Sequence, residues 1–156
     1  VGRRMAPDKF VGFNWAAFSK DIKELEGFDT RLGPGSPVDA LGDDPDIQER
    51  LLDKGATSVD VSEAIVSHHV PAKNLTLRWI LKRRVREGAG KGIRLHENGR
   101  VNAYPFVIGK ALIAIAVLLR GMVTWDFERM SIALCQLAWL TGILRGYKWS
   151  QKTQGQ

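Results

Sequence analysis

A chain of 156 residues with 44% hydrophobic side chains can bury one modest core. Its 23 Lys and Arg against 17 Asp and Glu leave a net charge of +6, which favours an anionic partner without saying whether that is lipid, nucleic acid or nucleotide. The single cysteine, Cys135, excludes an internal disulfide framework and a thiolate zinc site.

The opening stretch VGRRMAPDKFVGFN carries no apolar core of a signal peptide, and the chain is expected to be a piece of something longer. Residues 10–28 begin extended and then turn helical, with Phe18, Ile22 and Leu25 at helical spacing and Gly27 closing the last turn. RLGPGSPVDALG, dense in Gly and Pro, reads as a loop of functional length. A helix should start at Asp44, with that residue as cap, Pro45 in the first helical position and Ile47, Leu51 and Leu52 as the buried stripe, up to Gly55. ATSVDVSEAIVSHHV predicts one or two short strands whose core is Val59, Val61, Ile65 and Val66. An amphipathic helix follows from Leu75 to Glu87 and should stop at Gly88.

Past Gly88, GAGKGIRLHENGR reads as a glycine-rich linker. Two apolar runs come next, AYPFVIGKALIAIAVLL and MSIALCQLAWLTGIL, each about fifteen residues and short of the roughly twenty that span a bilayer. Cys135 lies in the second run, where it reads as a small buried hydrophobe. Trp125, Trp139, Trp149, Tyr104 and Tyr147 stand in or beside these runs, and Arg120, Arg129, Arg145 and Lys148 flank them. Such anchors suit the headgroup zone of a membrane.

Motifs narrow the chemistry. GAGKG is no phosphate loop, because position 85 is Val and position 92 is Gly where that loop needs glycine and a hydroxyl residue. The basic stretch around Lys82, Arg83 and Arg84 has no zinc-finger, ribonucleoprotein or helix-turn-helix pattern beside it. Nucleic acid is therefore not an expected partner, and an anionic membrane surface is. His68 and His69 close a strand-like run, and one of them could add an imidazole to a hard cation held by oxygens. The pair Asp43-Asp44 follows a flexible loop at a helix start, where one acid suffices as a cap and the second invites a role as proton acceptor.

In order, GFNWAAFSKDIKELEGFDTRLGPGS, GDDPDIQERLLDKGATSVDV and AIVSHHVPAKNLTLRWILKRRVREG resemble the C-terminal half of family 2 glycosyltransferases over about residues 10–88. The resemblance implies an α/β fold, a partial GT-A (Rossmann-like) domain of which only the C-terminal half is present, with residues 1–90 as the acceptor-side half. The residues beyond are read from their own pattern: 91–103 as linker, 104–149 as a hydrophobic α-helical hairpin, membrane-associated or else a soluble hairpin packed on the preceding domain, and 150–156 as a polar tail. The nucleotide-binding half, with its D-x-D motif, should precede residue 1.

On that basis Asp44 is the catalytic base, Asp43, Gly33, Gly35 and Asn14 face the acceptor, and His68 is the metal-associated histidine of a Mg²⁺ or Mn²⁺ site. The activity implied is transfer of a sugar, with inversion, from a nucleotide-sugar donor to a hydroxyl of a polysaccharide or lipid-linked acceptor at the cytoplasmic face of the cell membrane. The rival expectation is a non-catalytic membrane-peripheral interaction module, in which Asp44 only caps a helix.

Overall fold

The computed structural model describes residues 14–97, 99 and 102–154. They form two compact units: the described residues up to Gly33 with Gly42–His69, and Pro34–Leu41 with the chain from Val70 onward. The extended opening expected over residues 10–13 lies outside the described residues, as do Asn98, Arg100, Val101 and the last two of the polar tail.

The first unit holds two helices, α1 (Ser19–Glu24) and α2 (Asp43–Asp53). The chain leaves α1 as expected, through Gly27 at φ +82°, whose N–H donates to the Ile22 carbonyl at 3.0 Å. Ile47 and Leu51 of α2 are buried, at the helical spacing that made them a stripe. Arg50 ties the helices together. Its Nη1 and Nη2 donate to the carbonyls of Leu25 and Gly27, both at 2.8 Å, and its Nε pairs with Asp46 at 2.9 Å. A fixed cation thus meets carbonyls left over at the end of α1. Arg50→Met should destabilise this unit by about 2–4 kcal/mol in urea unfolding, because two carbonyls and a carboxylate lose one charged partner.

The α/β expectation is corrected here. The described residues are 66% helical, and among them there is no strand and no sheet. Residues 56–70, expected as strands, are irregular, with one isolated bridge at Val59 and local turn bonds from Ala64 N–H to the Val61 carbonyl and from Ile65 N–H to the Glu63 carbonyl. A Rossmann-like sheet needs neighbouring strands to satisfy each backbone donor and acceptor. Val61, Ile65 and Val66 supply the β-branched preference for one, but preference does not create the ladder. Without it their side chains remain exposed, Ile65 at 85%.

The second unit is a helical assembly of α3 (Leu77–Glu97), α4 (Ala103–Val123) and α5 (Phe127–Gln154), preceded by a short 3-10 turn at Ala72–Leu75. The stop predicted at Gly88 and the linker after it are also corrected: α3 runs through GAGKGIRLHE to Glu97. Its glycines lie against those of α5. A Cβ on Gly88 would overlap the Trp139 carbonyl, and one on Gly92 would overlap that of Ile143. A Cβ on Gly142 would meet Val85 and one on Gly146 would meet Ala89, again at carbonyl oxygens. Two glycine pairs at spacing four, 88/92 and 142/146, thus let the helix backbones touch, and the helix gains in packing what glycine loses in propensity.

Contacts of Gly88 with Trp139, Gly92 with Tyr147 and His96 with Ser150 make α3 and α5 parallel. After the turn at Thr124–Asp126, α5 returns antiparallel to α4: Gly121 sits beside Met130, and Ala103 and Val107 join Leu140, Ile143 and Tyr147 in one buried cluster. The apolar runs that looked short of a span are therefore parts of helices of 21 and 28 residues.

Candidate functional site

The acidic pair opens α2, but not as its cap. Gly42, at φ +124°, holds the cap position, and no side chain there bonds the helix N–H groups. Its carbonyl accepts from the Asp46 N–H at 3.0 Å. Asp43 and Asp44 thus lie inside the first turn, at the positive end of the helix dipole. The cap expected of Asp44 is corrected, because glycine reaches the positive φ that the start of α2 requires and aspartate does so at a cost.

Each acid then has a distinct setting. The Asp44 Oδ1 accepts a long hydrogen bond, 3.3 Å, from the indole N–H of Trp15. Trp15 in turn meets Phe28 edge to face, with ring centroids 6.4 Å apart. The Asp43 carboxylate lies over Gly33: a Cβ there would come within 2.9 Å of its Cγ and Oδ2. Gly33 also has φ +91°, so both space and backbone require glycine at that point. The loop at Gly33 and the acidic pair are in contact through these two residues.

A cavity of about 450 Å³ opens beside Trp15, with Phe18, Asp21, Gln48, Leu51 and Thr57 among its walls. Asp44 does not line it, but Trp15 does both jobs, forming wall and holding the carboxylate. Gln48 follows Asp44 by one turn of α2 and is 5% exposed.

The remaining predicted residues are placed differently. Asn14 donates its amide N–H to the Ala64 carbonyl at 3.0 Å, tying the start of the described chain to the 61–66 segment. Gly35, at φ +84° with nothing near a would-be Cβ, belongs to the second unit and turns the loop. His68 is exposed in the first unit. Among the described residues no group of three His, Cys, Asp or Glu side chains could hold a metal ion. A hard divalent cation held at His68 would need oxygen ligands beside the imidazole.

Sequence reading passed over Trp15, Gln48 and the Asp29–Arg31 pair. Gln48 carried a signal, a polar residue on the buried face of α2; Trp15 carried none in its spacing. Asp29 accepts from the Arg31 backbone N–H and Nε, both at 2.9 Å, and from Nη2 at 2.7 Å. Burial alone would raise this carboxyl; the Arg31 hydrogen bonds and the charges of Arg31 and Arg50 outweigh it and hold it below its ordinary range. A depressed folded value adds stability above the unfolded value, near 3.9, and loses it as pH falls through the folded one. Wild-type protein should therefore lose stability more steeply than Asp29→Asn between about pH 5 and pH 2, measured by urea unfolding at stepped pH.

No protein-family model, no curated protein and no solved structure matches the chain.

Proposed function

We propose that this chain is the acceptor-side part of an inverting glycosyltransferase of family 2, with Asp44 as its general base. The observation that carries the reading is the setting of Asp44: Gly42 starts the helix, so the aspartate has no capping duty, and Trp15 aims its carboxylate from the wall of a cavity. An alcohol is a poor nucleophile until its proton is taken. The Asp44 carboxylate accepts that proton as the acceptor oxygen bonds to the anomeric carbon of the donor sugar, and the nucleoside diphosphate departs with the electron pair. The Trp15 indole, bonded to one carboxylate oxygen, fixes the direction of the base. Asp43, resting on Gly33, shapes the acceptor side of the site.

The second unit supports delivery of that acceptor from a membrane. Among the described residues α4 is the helix long and apolar enough to cross one, and only 17% of its apolar stretch is buried. A helix apolar on every side is normally buried, either in a large core or in lipid. A lipid-linked or surface-polysaccharide acceptor at the cytoplasmic face of the cell membrane fits this pairing of acid site and apolar helix.

The test is nucleoside diphosphate release from a panel of nucleotide sugars, with lipid extract as acceptor source, by the full-length protein and its Asp44→Asn variant. Release by the wild type that the variant loses supports the reading. Equal release by both would sink Asp44 as the base, and release by neither would leave the non-catalytic membrane module.

A further inference from the structure

The α3–α5 assembly has a consequence for how the chain meets a bilayer. Taken alone, α4 is about 31 Å long at 1.5 Å per residue, enough for a hydrocarbon core of about 30 Å. It does not stand alone. Its buried face, Val107, Ala114 and Gly121 at spacing seven, packs on α5. Along an adjoining face α5 is locked to α3 backbone against backbone, through Gly142 on Gly88 and Gly146 on Ala89. The helices α3 and α5 are parallel, so Lys82, Arg83, Arg84 and Arg86, within two turns before Gly88, stand level with the stretch Ala133–Leu140 of α5. That stretch lies between the contacts of α5 with Gly121 and with Val107, which is the middle of α4. Were α4 to span, α3 would carry those charges to the depth of the hydrocarbon.

The outward face of α4 is apolar at the same level. Ile108, Leu112, Ile115 and Leu119, at spacing four, three and four, are all exposed and lie opposite the face that meets α5. Apolar α4 and basic α3 thus present two different surfaces of one assembly built on α5. We infer that α4 and α5 lie in the plane of a single anionic leaflet, with the Ile108–Leu119 face in the acyl boundary and α3 among headgroups or in water, rather than spanning the bilayer. The inference rests on the membrane reading of the second unit. Helices embedded in this way sit about 5–10 Å into the boundary, less than one helix diameter, which keeps a second layer of helix at polar depth. Charge complementarity selects the lipid: the basic residues of α3 and the net charge of +6 match an anionic surface.

Topology separates the two arrangements. In full-length protein carrying Cys135→Ala, a single cysteine is placed at the α4–α5 turn (Thr124→Cys) or near the end of α5 (Lys152→Cys). Sealed membrane vesicles from expressing cells are then treated with a membrane-impermeant maleimide before and after permeabilisation. The two sites should respond alike, because an in-plane pair keeps both ends on one side. Opposite responses from protein that floats with the vesicles would overturn the in-plane arrangement while leaving membrane attachment standing. Failure to float with phosphatidylcholine vesicles containing phosphatidylglycerol would remove the membrane reading, and this inference with it. Lys82→Gln with Arg83→Gln should weaken flotation on those vesicles by tenfold or more, and change it little on phosphatidylcholine alone; an equal loss on both would remove the anionic part.

Discussion

Asp44→Asn should lower turnover by about two to four orders of magnitude, the range a positioned general base supplies, and leave the stability of the first unit within about 0.5 kcal/mol of wild type. The pairing of these outcomes matters more than either. Asparagine keeps the shape of the side chain and an oxygen able to accept from the Trp15 indole, so the 3.3 Å contact can survive. What it lacks is an oxygen basic enough to take a proton. The helix does not sense the change as a lost cap, because Gly42 holds that position and no side-chain cap bond exists there. The loss of anionic charge near the dipole is worth a few tenths of a kcal/mol at a partly exposed site. Initial-rate kinetics and urea unfolding of the same preparation check both halves. A large loss of stability alongside the loss of activity would mean that Asp44 is structural after all. Asp43→Asn should act differently, raising KM more than it lowers kcat, since that carboxylate lies on the Gly33 loop and has no Trp15 to aim it.

Gly142→Ala is expected to destabilise the second unit by about 2 kcal/mol or more, against the direction that helix propensity alone dictates. In an isolated helix the change would be favourable by about 0.8–1 kcal/mol. Here the new Cβ would overlap the Val85 carbonyl and lie 2.9 Å from both the Ala89 nitrogen and the Gly88 Cα. All three are backbone atoms, with no side-chain rotation to absorb the clash, so α3 and α5 must separate, and overpacking of this kind costs about 1–3 kcal/mol or more. Gly109→Ala gives the opposite sign. A Cβ on Gly109 meets nothing within 4 Å, so the propensity gain of about 0.5–1 kcal/mol should appear undiminished. Circular-dichroism melting of the two variants in the same lipid or detergent should show shifts of opposite sign, and a rise for both would contradict the close α3–α5 contact.

Features carried by local rules could be read along the chain. The α2 helix was legible from the acids and proline at its start and from Ile47 and Leu51 along its length, and the α1 exit from Gly27, because helix bonds join residues four apart and their signals are neighbours in sequence. The apolar character of α4 and α5 and the acidic pair were legible for the same reason. Other features needed partners far along the chain. Gly88 and Gly92 look like a linker until α5 arrives to pack on them. Gly42 takes the cap from Asp44 through a positive φ that no spacing announces. Trp15 becomes a neighbour of Asp44 only when the chain folds back across 29 positions.

The sequence by itself determined the amphipathic and apolar helices, the two acids in one turn and the excess of basic charge, since each follows from residue type and short-range spacing. Only the tertiary structure decided that residues 56–70 make no sheet among the described residues, that α3 runs on through its glycines instead of ending there, and that Asp44 is held by an indole rather than used as a cap. A strand ladder, a backbone-to-backbone helix contact and a side chain aimed by a distant ring all depend on groups remote in sequence. Their energies enter when those groups meet, and no local pattern encodes the meeting.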